Sequence, residues 1–289
     1  MTRRLILCAD DYAISPAVSR GIRELAAAGR LSATGVMASM GCWPEEAPAL
    51  KALRERVSVG LHFTLTDQRP LGEMPILAPQ GRFPAIGALL RRSLAGRLPA
   101  AEVAAELDRQ LDAFESHFGR PPDFVDGHQH VHVLPGIWPI VHAAFGRRLD
   151  PRRCWLRDCT DARLWRRGSA AKAAFIAILG RTASRAAHRQ GIVTNHGFSG
   201  FYDYGRQTLA DVFPRLLRGA GDGHLLMVHP GHVDAALIAC DGLTTPRQAE
   251  WAFLSGRELP LQLAAQGMSI AGPGFPIDER AETGHIARP

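Results

Sequence analysis

Short apolar or β-branched runs alternate with amphipathic stretches along nearly all of the 289 residues. This alternation is typical of a parallel sheet, because parallel neighbours need a crossover long enough to hold a helix. Eight strands are expected, at residues 4–9, 33–39, 57–63, 123–130, 153–158, 191–196, 224–229 and 268–272. A closed (β/α) barrel has eight strands and a typical length of about 250 residues. The pattern therefore predicts an α/β fold, a TIM-barrel-like (β/α) barrel, with a distorted seven-stranded form as the alternative.

The helix signals fit the same architecture. Residues 100–118 carry apolar side chains every three or four positions and end at Gly119, and an earlier helix is expected from Ser15 and Pro16 to Gly29. Further helices are expected at 137–147, 169–189, 206–218 and 246–266, the last broken near Gly256. Residues 64–99, rich in Pro and Gly, are too long for an ordinary connection and predict a lid or binding loop. We expect one domain over 1–272 and a tail over 273–289.

Composition excludes several classes of protein. With 46% hydrophobic and 21% charged residues, the chain can bury a core and is not a disordered or coiled-coil protein. It has no apolar run long enough for a membrane span and no signal peptide at its start, which predicts a cytoplasmic protein. The five cysteines are scattered without a CxxC pair, so we expect neither disulfides nor a thiolate zinc site.

The net charge of +6 comes from dispersed arginines, so nucleic-acid binding is not expected. The oligomeric state stays open, a homo-oligomer included.

Polar residues cluster at the predicted carboxyl ends of different strands. In a barrel these ends converge on one mouth, where active sites of this architecture form. The candidates are Asp10 and Asp11 after the first strand, His62 after the third, Asp126, His128, His130 and His132 at the fourth, Asn195 and His196 at the sixth, and His229 at the seventh.

These residue types favour a metal site. Two adjacent carboxylates after a buried strand are costly unless a cation or hydrogen bonds neutralise them; helix capping ahead of Ser15 is the alternative. Alternation along an extended strand predicts that the histidines at 128, 130 and 132 share one face, although core or surface histidines could follow the same spacing. Imidazole and carboxylate together suit zinc and related metals. Asp126 is a candidate to orient one imidazole, and the spacing does not choose among the three histidines.

Five motifs in order carry a resemblance to a known family. They are residues 9–12 (ADDY), 60–62 (GLH), 126–132 (DGHQHVH), 194–203 (TNHGFSGFYD) and 229–231 (HPG). Together they resemble the YdjC-like carbohydrate deacetylases, the ChbG/HpnK family, over nearly the whole chain. The chain departs from the commonest family pattern at Tyr12, where Phe is usual, and at Gln129, which interrupts a run of histidines.

The resemblance implies a TIM-barrel-like fold and hydrolysis of an N-acetyl group from an amino sugar or short oligosaccharide. Carried onto the matching positions, Asp11, His62 and His128 would bind one divalent ion, Mg²⁺ or Zn²⁺, whose bound water attacks the acetamide carbonyl. Asp10 would be the catalytic base, and His229 the acid by analogy with related polysaccharide deacetylases. Supporting or substrate-contacting residues would be Asp126, His130, His132 and Asn195. Two alternatives remain: a metal-dependent phosphoesterase, which would need two ions, and a non-catalytic N-acetyl-sugar-binding barrel.

Overall fold

The computed structural model describes residues 2–160 and 170–276. Strands and helices alternate along these residues. The strands are β1 (Arg3–Tyr12), β2 (Ala33–Val36), β3 (Ser58–Phe63), β4 (Phe124–Gly127), β5 (Trp155–Leu156), β6 (Phe198–Ser199), β7 (His224–Val228) and β8 (Met268–Ile270). The helices are α1 (Pro16–Ala27), α2 (Trp43–Lys51), α3 (Ile86–Leu94), α4 (Ala100–Phe118), α5 (Trp138–Ala144), α6 (Ala170–Arg189), α7 (Leu209–Leu216), α8 (Ala235–Cys240), α9 (Thr245–Ser255) and α10 (Glu258–Ala265).

All the strand pairs are parallel, and the strand order is β5-β4-β3-β2-β1-β7-β6, with β8 pairing with the first half of β1. The outermost strands of this order are linked by a parallel bridge between Leu156 of β5 and Thr194, four residues before β6. The sheet therefore curls towards closure. The predicted α/β, TIM-barrel-like fold is confirmed, with seven strands in the main order and the eighth beside β1.

The irregular side of the barrel is where the predicted elements differ most from the structure. The strand expected at 191–196 is wrong: the pairing there is one bridge at Thr194, and β6 begins at Phe198. The side chain of Asn195 explains this, because its amide binds the main chain of Asp158 and Gly197 and holds the segment out of a regular ladder. By contrast, α4 has the predicted bounds, and the helix expected at 246–266 divides into α9 and α10 at Gly256.

Alternate residues of the strands fill the barrel interior. Ile6 and Cys8 of β1 belong to one apolar cluster, whereas Leu5, Leu7 and Ala9 belong to the cluster shared with the helices. The interior cluster also takes residues from the neighbouring strands: Phe124, Trp155, Phe198, Leu225 and Met227. Gly60 makes room for this layer, since a Cβ there would lie 2.5 Å from the Phe124 ring. Because every second side chain of a strand points into the barrel, this alternation also determines which side chains reach the mouth of the barrel.

The long connection at 64–99 is attached to α4 and contains α3. Polar side chains on one face of α4 bind its main chain: Gln110 pairs with Thr64, Glu106 accepts from Leu71 N, and Glu102 accepts from Ile76 N and Leu77 N. The beginning of this connection reaches the barrel mouth, where Asp67 accepts a hydrogen bond from Gln129.

In the described residues, none of the helices combines the length and the apolar character that crossing a bilayer requires. Residues 277–289, most of the expected tail, and residue 169 of the expected helix at 169–189 lie outside the described residues.

Candidate metal centre

The next interior positions beyond the apolar layer are polar. On five strands, the residue two positions after an interior one is polar. Asp10 follows Cys8, His62 follows Gly60 and Asp126 follows Phe124 in this way, and Arg157 follows Trp155 and His229 follows Met227. Because side chains two positions apart on a strand point to the same face, these polar side chains form a layer directly above the apolar core, at the carboxyl ends of the strands. Most of these groups are shielded from solvent, with side-chain exposures of 2% or less at Asp10, His62, Asp126 and Arg157.

A backbone irregularity brings the second aspartate to the same mouth. Adjacent residues of a regular strand point to opposite faces, which would turn Asp11 away from Asp10. The register between β1 and β2 shifts between Ala9 and Tyr12, and Asp11 adopts a left-handed conformation with φ 67°. Aspartate tolerates this region better than most residues do, and such strain is found where function requires it. Both carboxylates therefore line the cavity.

Three donor side chains from three strand ends meet at this point. One donor atom each from Asp11, His62 and His128 can be chosen so that all lie within 4.8 Å of one another. The Oδ1 atom of Asp11 lies 3.3 Å from His62 Nε2 and 2.9 Å from His128 Nδ1. A carboxylate oxygen with two imidazoles is a donor set that zinc and related divalent ions accept, and three protein ligands leave positions for water or substrate. The residues therefore fit a metal ion.

Asp126 orients one of these donors. Its Oδ1 atom lies 2.6 Å from His62 Nδ1, and both side chains are buried. In the neutral form of the ring, which is the form that a metal ion would bind, Nδ1–H donates to this carboxylate and the lone pair of Nε2 faces Asp11, the arrangement common behind metal-binding histidines. Burial alone would lower the pKa of His62, but the carboxylates of Asp126 and Asp10 outweigh burial and raise it to about 10 in the metal-free protein.

A second cluster of donors is already occupied by a guanidinium. Cys8, Asp10 and Asp126 offer donor atoms within 4.8 Å of one another. Arg157 fills the space between them: Nη1 and Nη2 donate to the two oxygens of Asp10 at 2.7 and 2.6 Å, and Nη2 also contacts Cys8 Sγ at 3.1 Å and Asp126 Oδ2. Burial raises the pKa of Asp10, but the charge of Arg157 overrides burial and holds it well below the usual range. This cluster therefore has its cation and does not supply a second metal site.

Another buried guanidinium binds the other side of Asp11. Arg247 of α9 donates from Nη2 to Asp11 Oδ2 and to Asp241 Oδ2, each at 2.6 Å. Burial opposes ionisation of Asp11, yet Arg247 and His128 together lower its pKa well below the usual range. Asp11 is therefore ionised and available to a cation at neutral pH.

The histidine run does not form the strand face expected from its spacing. Strand β4 ends at Gly127, and residues 128–133 form a 3₁₀ turn interrupted by left-handed conformations at Gln129 and His130. These conformations break the alternation of an extended strand, so only His128 joins the metal donors. His130 lines the cavity against Phe198 and Phe201.

His132 and Asn195 are not brought into the cavity. His132 Nε2 lies 3.1 Å from the main-chain oxygen of Arg157, behind the site, and burial lowers the pKa of this ring to about 4. The amide of Asn195 is used by main-chain groups of residues 158 and 197. Both therefore support the chain around Arg157, and neither lines the cavity.

His229 lines the same cavity as the candidate metal donors and has two partners that the sequence did not indicate. The Tyr204 hydroxyl lies 3.0 Å from His229 Nδ1, and the carboxylate of Glu250 accepts from His229 N at 2.5 Å. Burial lowers the pKa of His229 to about 4, so its ring is neutral at pH 7 in the metal-free protein. Burial also raises the pKa of Glu250 to about 7.

The donors and His229 enclose a cavity of about 300 Å³. That volume lies at the small end of the range for ligand pockets. Tyr204, which packs against His229, and the rings of Tyr202 and Phe201 supply its aromatic wall. The arrangement can hold a cation on one side and present a carboxylate and an imidazole to a small group bound beside it.

Sequence reasoning missed Arg157, Arg247, Tyr204 and Glu250. A signal existed for Arg157, because a charged residue stands at an interior position of a predicted strand. Arg247 is one of many arginines on helices and carries no such mark, and Tyr204 reaches His229 only through the folded loop after β6.

Comparison with known proteins agrees with this architecture. A family model described as YdjC-like protein matches residues 4–265. The chitooligosaccharide deacetylase of Yersinia pestis (strain Pestoides F) is 31% identical over 279 residues, covering 93% of this chain and 98% of that protein. The chitooligosaccharide deacetylase of Serratia marcescens is 40% identical over 147 residues, which are 50% of this chain and 56% of that protein.

Among solved structures, an Enterococcus faecalis V583 protein named for cellobiose-phosphate cleavage superposes with a TM-score of 0.75 at 21% identity, covering 94% of this chain and 98% of that one. At that identity the likeness shows the shared fold. The family match extends from the second residue of β1 to the end of α10 and includes every residue of the candidate metal centre. The chain is a member of the YdjC-like family.

Proposed function

We propose that this protein is a metal-dependent carbohydrate deacetylase that hydrolyses the N-acetyl group of an amino sugar or short oligosaccharide. The observation that carries the proposal is the meeting of Asp11, His62 and His128 around one point, with the carboxylate of Asp10 beside them in the same cavity. The relatives named chitooligosaccharide deacetylase support the substrate class.

Asp11, His62 and His128 would hold the ion. When bound, a divalent ion would polarise the acetamide carbonyl and make a water molecule more acidic. The chain's own task is to keep Asp11 ionised and to aim Nε2 of His62, which Arg247 and Asp126 do through the contacts described above.

Asp10 is the proposed base. Its carboxylate is not needed as a metal donor. Arg157 keeps this carboxylate ionised and fixes its orientation by donating one hydrogen bond to each of its two oxygens. Its low pKa makes it a weak base, so it can take a proton only from a water that is already acidified. Removing this proton transfer should cost about 10² to 10⁴ in rate.

His229 is the proposed donor to the departing amine. Because Tyr204 can donate its hydroxyl proton to Nδ1, the ring proton of neutral His229 would stand on Nε2, the other ring nitrogen. In the neutral ring, this Nε2–H can hydrogen-bond the developing negative charge. To protonate the amine, the ring must first become an imidazolium by taking up the proton that Asp10 removes from the water, because a neutral ring that lost its Nε2 proton would be left as an anion. Burial lowers the pKa of His229 and keeps the ring neutral before that transfer.

The phosphoesterase alternative is less well supported. Two-metal sites need two sets of free donors about 3.5–4 Å apart. In the described part of the chain, the second set already contains the Arg157 guanidinium. A barrel that binds N-acetyl sugars without hydrolysis would not need Asp10 ionised beside the metal donors.

An acetate-release assay tests the proposal. The protein is stripped with a chelator, reloaded with Mg²⁺ or Zn²⁺, and offered N-acetylglucosamine and its short β-linked oligomers. We expect acetate only from the reloaded protein, with one ion bound per chain. Full metal loading without acetate from any of these sugars would reject the deacetylase, and acetate release by the stripped protein would reject the metal.

A further inference from the structure

Arg247 is the residue that carries a further inference. Its side chain is 1% exposed, and a guanidinium is costly to bury unless its donors are paired. Three contacts fix it: Nη2 donates to Asp11 Oδ2 and Asp241 Oδ2, and Nε donates to the main-chain oxygen of Leu243 at 2.9 Å. Two of these three anchors lie outside the metal donor set, so the position of Arg247 does not depend on Asp11 alone.

The two oxygens of Asp11 have different partners. Oδ1 faces His62 and His128, whereas Oδ2 is bound to Arg247. An aspartate can give a cation one or both of its oxygens. With Oδ2 held by a charged hydrogen bond at 2.6 Å, the oxygen left for the cation is Oδ1.

We propose that Arg247 is a positioning residue that restricts Asp11 to one ligating oxygen and withdraws negative charge from it. The inference rests on the proposed metal site. It deepens that proposal, because a ligand carboxylate shared with a guanidinium binds the ion less tightly and leaves it more positive. More positive charge at the ion favours polarisation of the acetamide carbonyl.

The Zn²⁺ affinity of an Arg247 variant distinguishes this role from simple support of the fold, because the two roles predict opposite changes. Arg247→Gln removes the positive charge and frees Asp11 Oδ2, so we expect Zn²⁺ to bind about tenfold more tightly while acetate release slows. If Arg247 only held Asp11 in place, the same variant would bind Zn²⁺ more weakly. Arg247→Lys keeps the charge and should stay within about threefold of the wild-type affinity.

Asp241→Asn provides a second test. Asp241 is partly exposed at 24% of its side chain, and the contacts of Arg247 with Asp11 and with the main-chain oxygen of Leu243 do not involve it. Loss of this carboxylate makes the surroundings of Asp11 more positive. Arg247 Nη2 then has no second carboxylate to donate to, so its hydrogen bond to Asp11 becomes stronger. We therefore expect Zn²⁺ to bind about threefold to tenfold more weakly, the reverse of Arg247→Gln.

The experiment measures Zn²⁺ affinity by competition with a chromophoric chelator and melting temperature with and without Zn²⁺. Arg148→Gln is the matched control, since Arg148 binds Asp108, Asp112 and Glu115 away from the cavity. We expect Arg247→Gln to melt earlier without metal and to gain more from Zn²⁺ than the wild type, because its Asp11 then lacks a counter-charge.

Unchanged or weaker Zn²⁺ binding by folded Arg247→Gln overturns the inference. If that variant does not fold, Asp241→Asn decides: weaker binding supports the inference, and unchanged or tighter binding overturns it. Failure of the metal site itself has a different signature. In that case the wild type binds no ion, or His128→Ala binds Zn²⁺ as tightly as the wild type.

Discussion

Replacing Asp126 with Asn tests how the fold prepares His62 for a metal ion. The Asp126 Oδ1 to His62 Nδ1 distance is 2.6 Å, and the two side chains are 0% and 2% exposed, so the hydrogen bond is charge-assisted and shielded from water. Asn keeps the shape and one acceptor oxygen but loses the charge. Its NH₂ group would also face the Arg157 guanidinium, a donor against a donor.

The expected magnitude follows from these contacts. Loss of a carboxylate behind a metal-binding histidine typically costs 10-fold to 100-fold in metal affinity. That range corresponds to about 1.4–2.8 kcal/mol. Because the new NH₂ group also faces the Arg157 guanidinium, we expect a loss of Zn²⁺ affinity in the upper half of this range. Acetate release should fall at subsaturating metal and recover in part when the metal concentration is raised.

The assay is chelator competition with Zn²⁺, run beside thermal unfolding. Asp123→Asn is the control, because Asp123 lies one residue before β4 and its carboxylate binds Val59 N and Arg120 and no metal donor. Both variants should lose some stability, and only Asp126→Asn should lose Zn²⁺ affinity. Equal affinities in the two variants would refute the role given to Asp126.

Three further predictions concern the base, the metal and a buried histidine. Asp10→Asn should lower kcat by about 10² to 10⁴ while one ion per chain is retained by elemental analysis; a wild-type rate would exclude Asp10 as the base. Chelation should abolish acetate release, and a divalent ion alone should restore it; a rate insensitive to chelator would count against metal dependence. Burial lowers the pKa of His142 from 6.5 to about 4, so this ring is neutral in the native state and stability falls as pH drops from about 6.5 towards 4. His142→Leu should lessen the loss of unfolding free energy between pH 7 and pH 5 by about 2 kcal/mol in urea titrations, and parallel losses in both proteins would contradict this.

Much of the fold, and the places of Asp10 and His62 at the barrel mouth, could be predicted because they depend on local periodicity. The period of two along β1 and β3 puts Asp10 and His62 directly above the apolar layer, and the parallel order brings those strand ends together. The length of α4 was readable for the same reason, since its apolar spacing and the left-handed Gly119 define both its buried face and its end.

The rest depends on backbone conformation and long-range contacts that periodicity does not encode. Left-handed conformations at Gln129 and His130 turn the histidine run out of the strand, so that one imidazole reaches the donors instead of three. Arg157 directly follows a two-residue strand, and Arg247 lies on a helix 236 residues along the chain from Asp11. Their charges decide which of the acidic clusters is open to a metal ion.

Anomalous X-ray diffraction from crystals of the Zn²⁺-loaded protein would locate the ion among its donors. We predict one strong zinc peak per chain within about 2.0–2.2 Å of Asp11 Oδ1 and of one nitrogen each of His62 and His128, with Arg157 still between Asp10 and Asp126. A zinc ion bound among Cys8, Asp10 and Asp126 instead, or no peak at the three donors when zinc is saturating, would contradict the account.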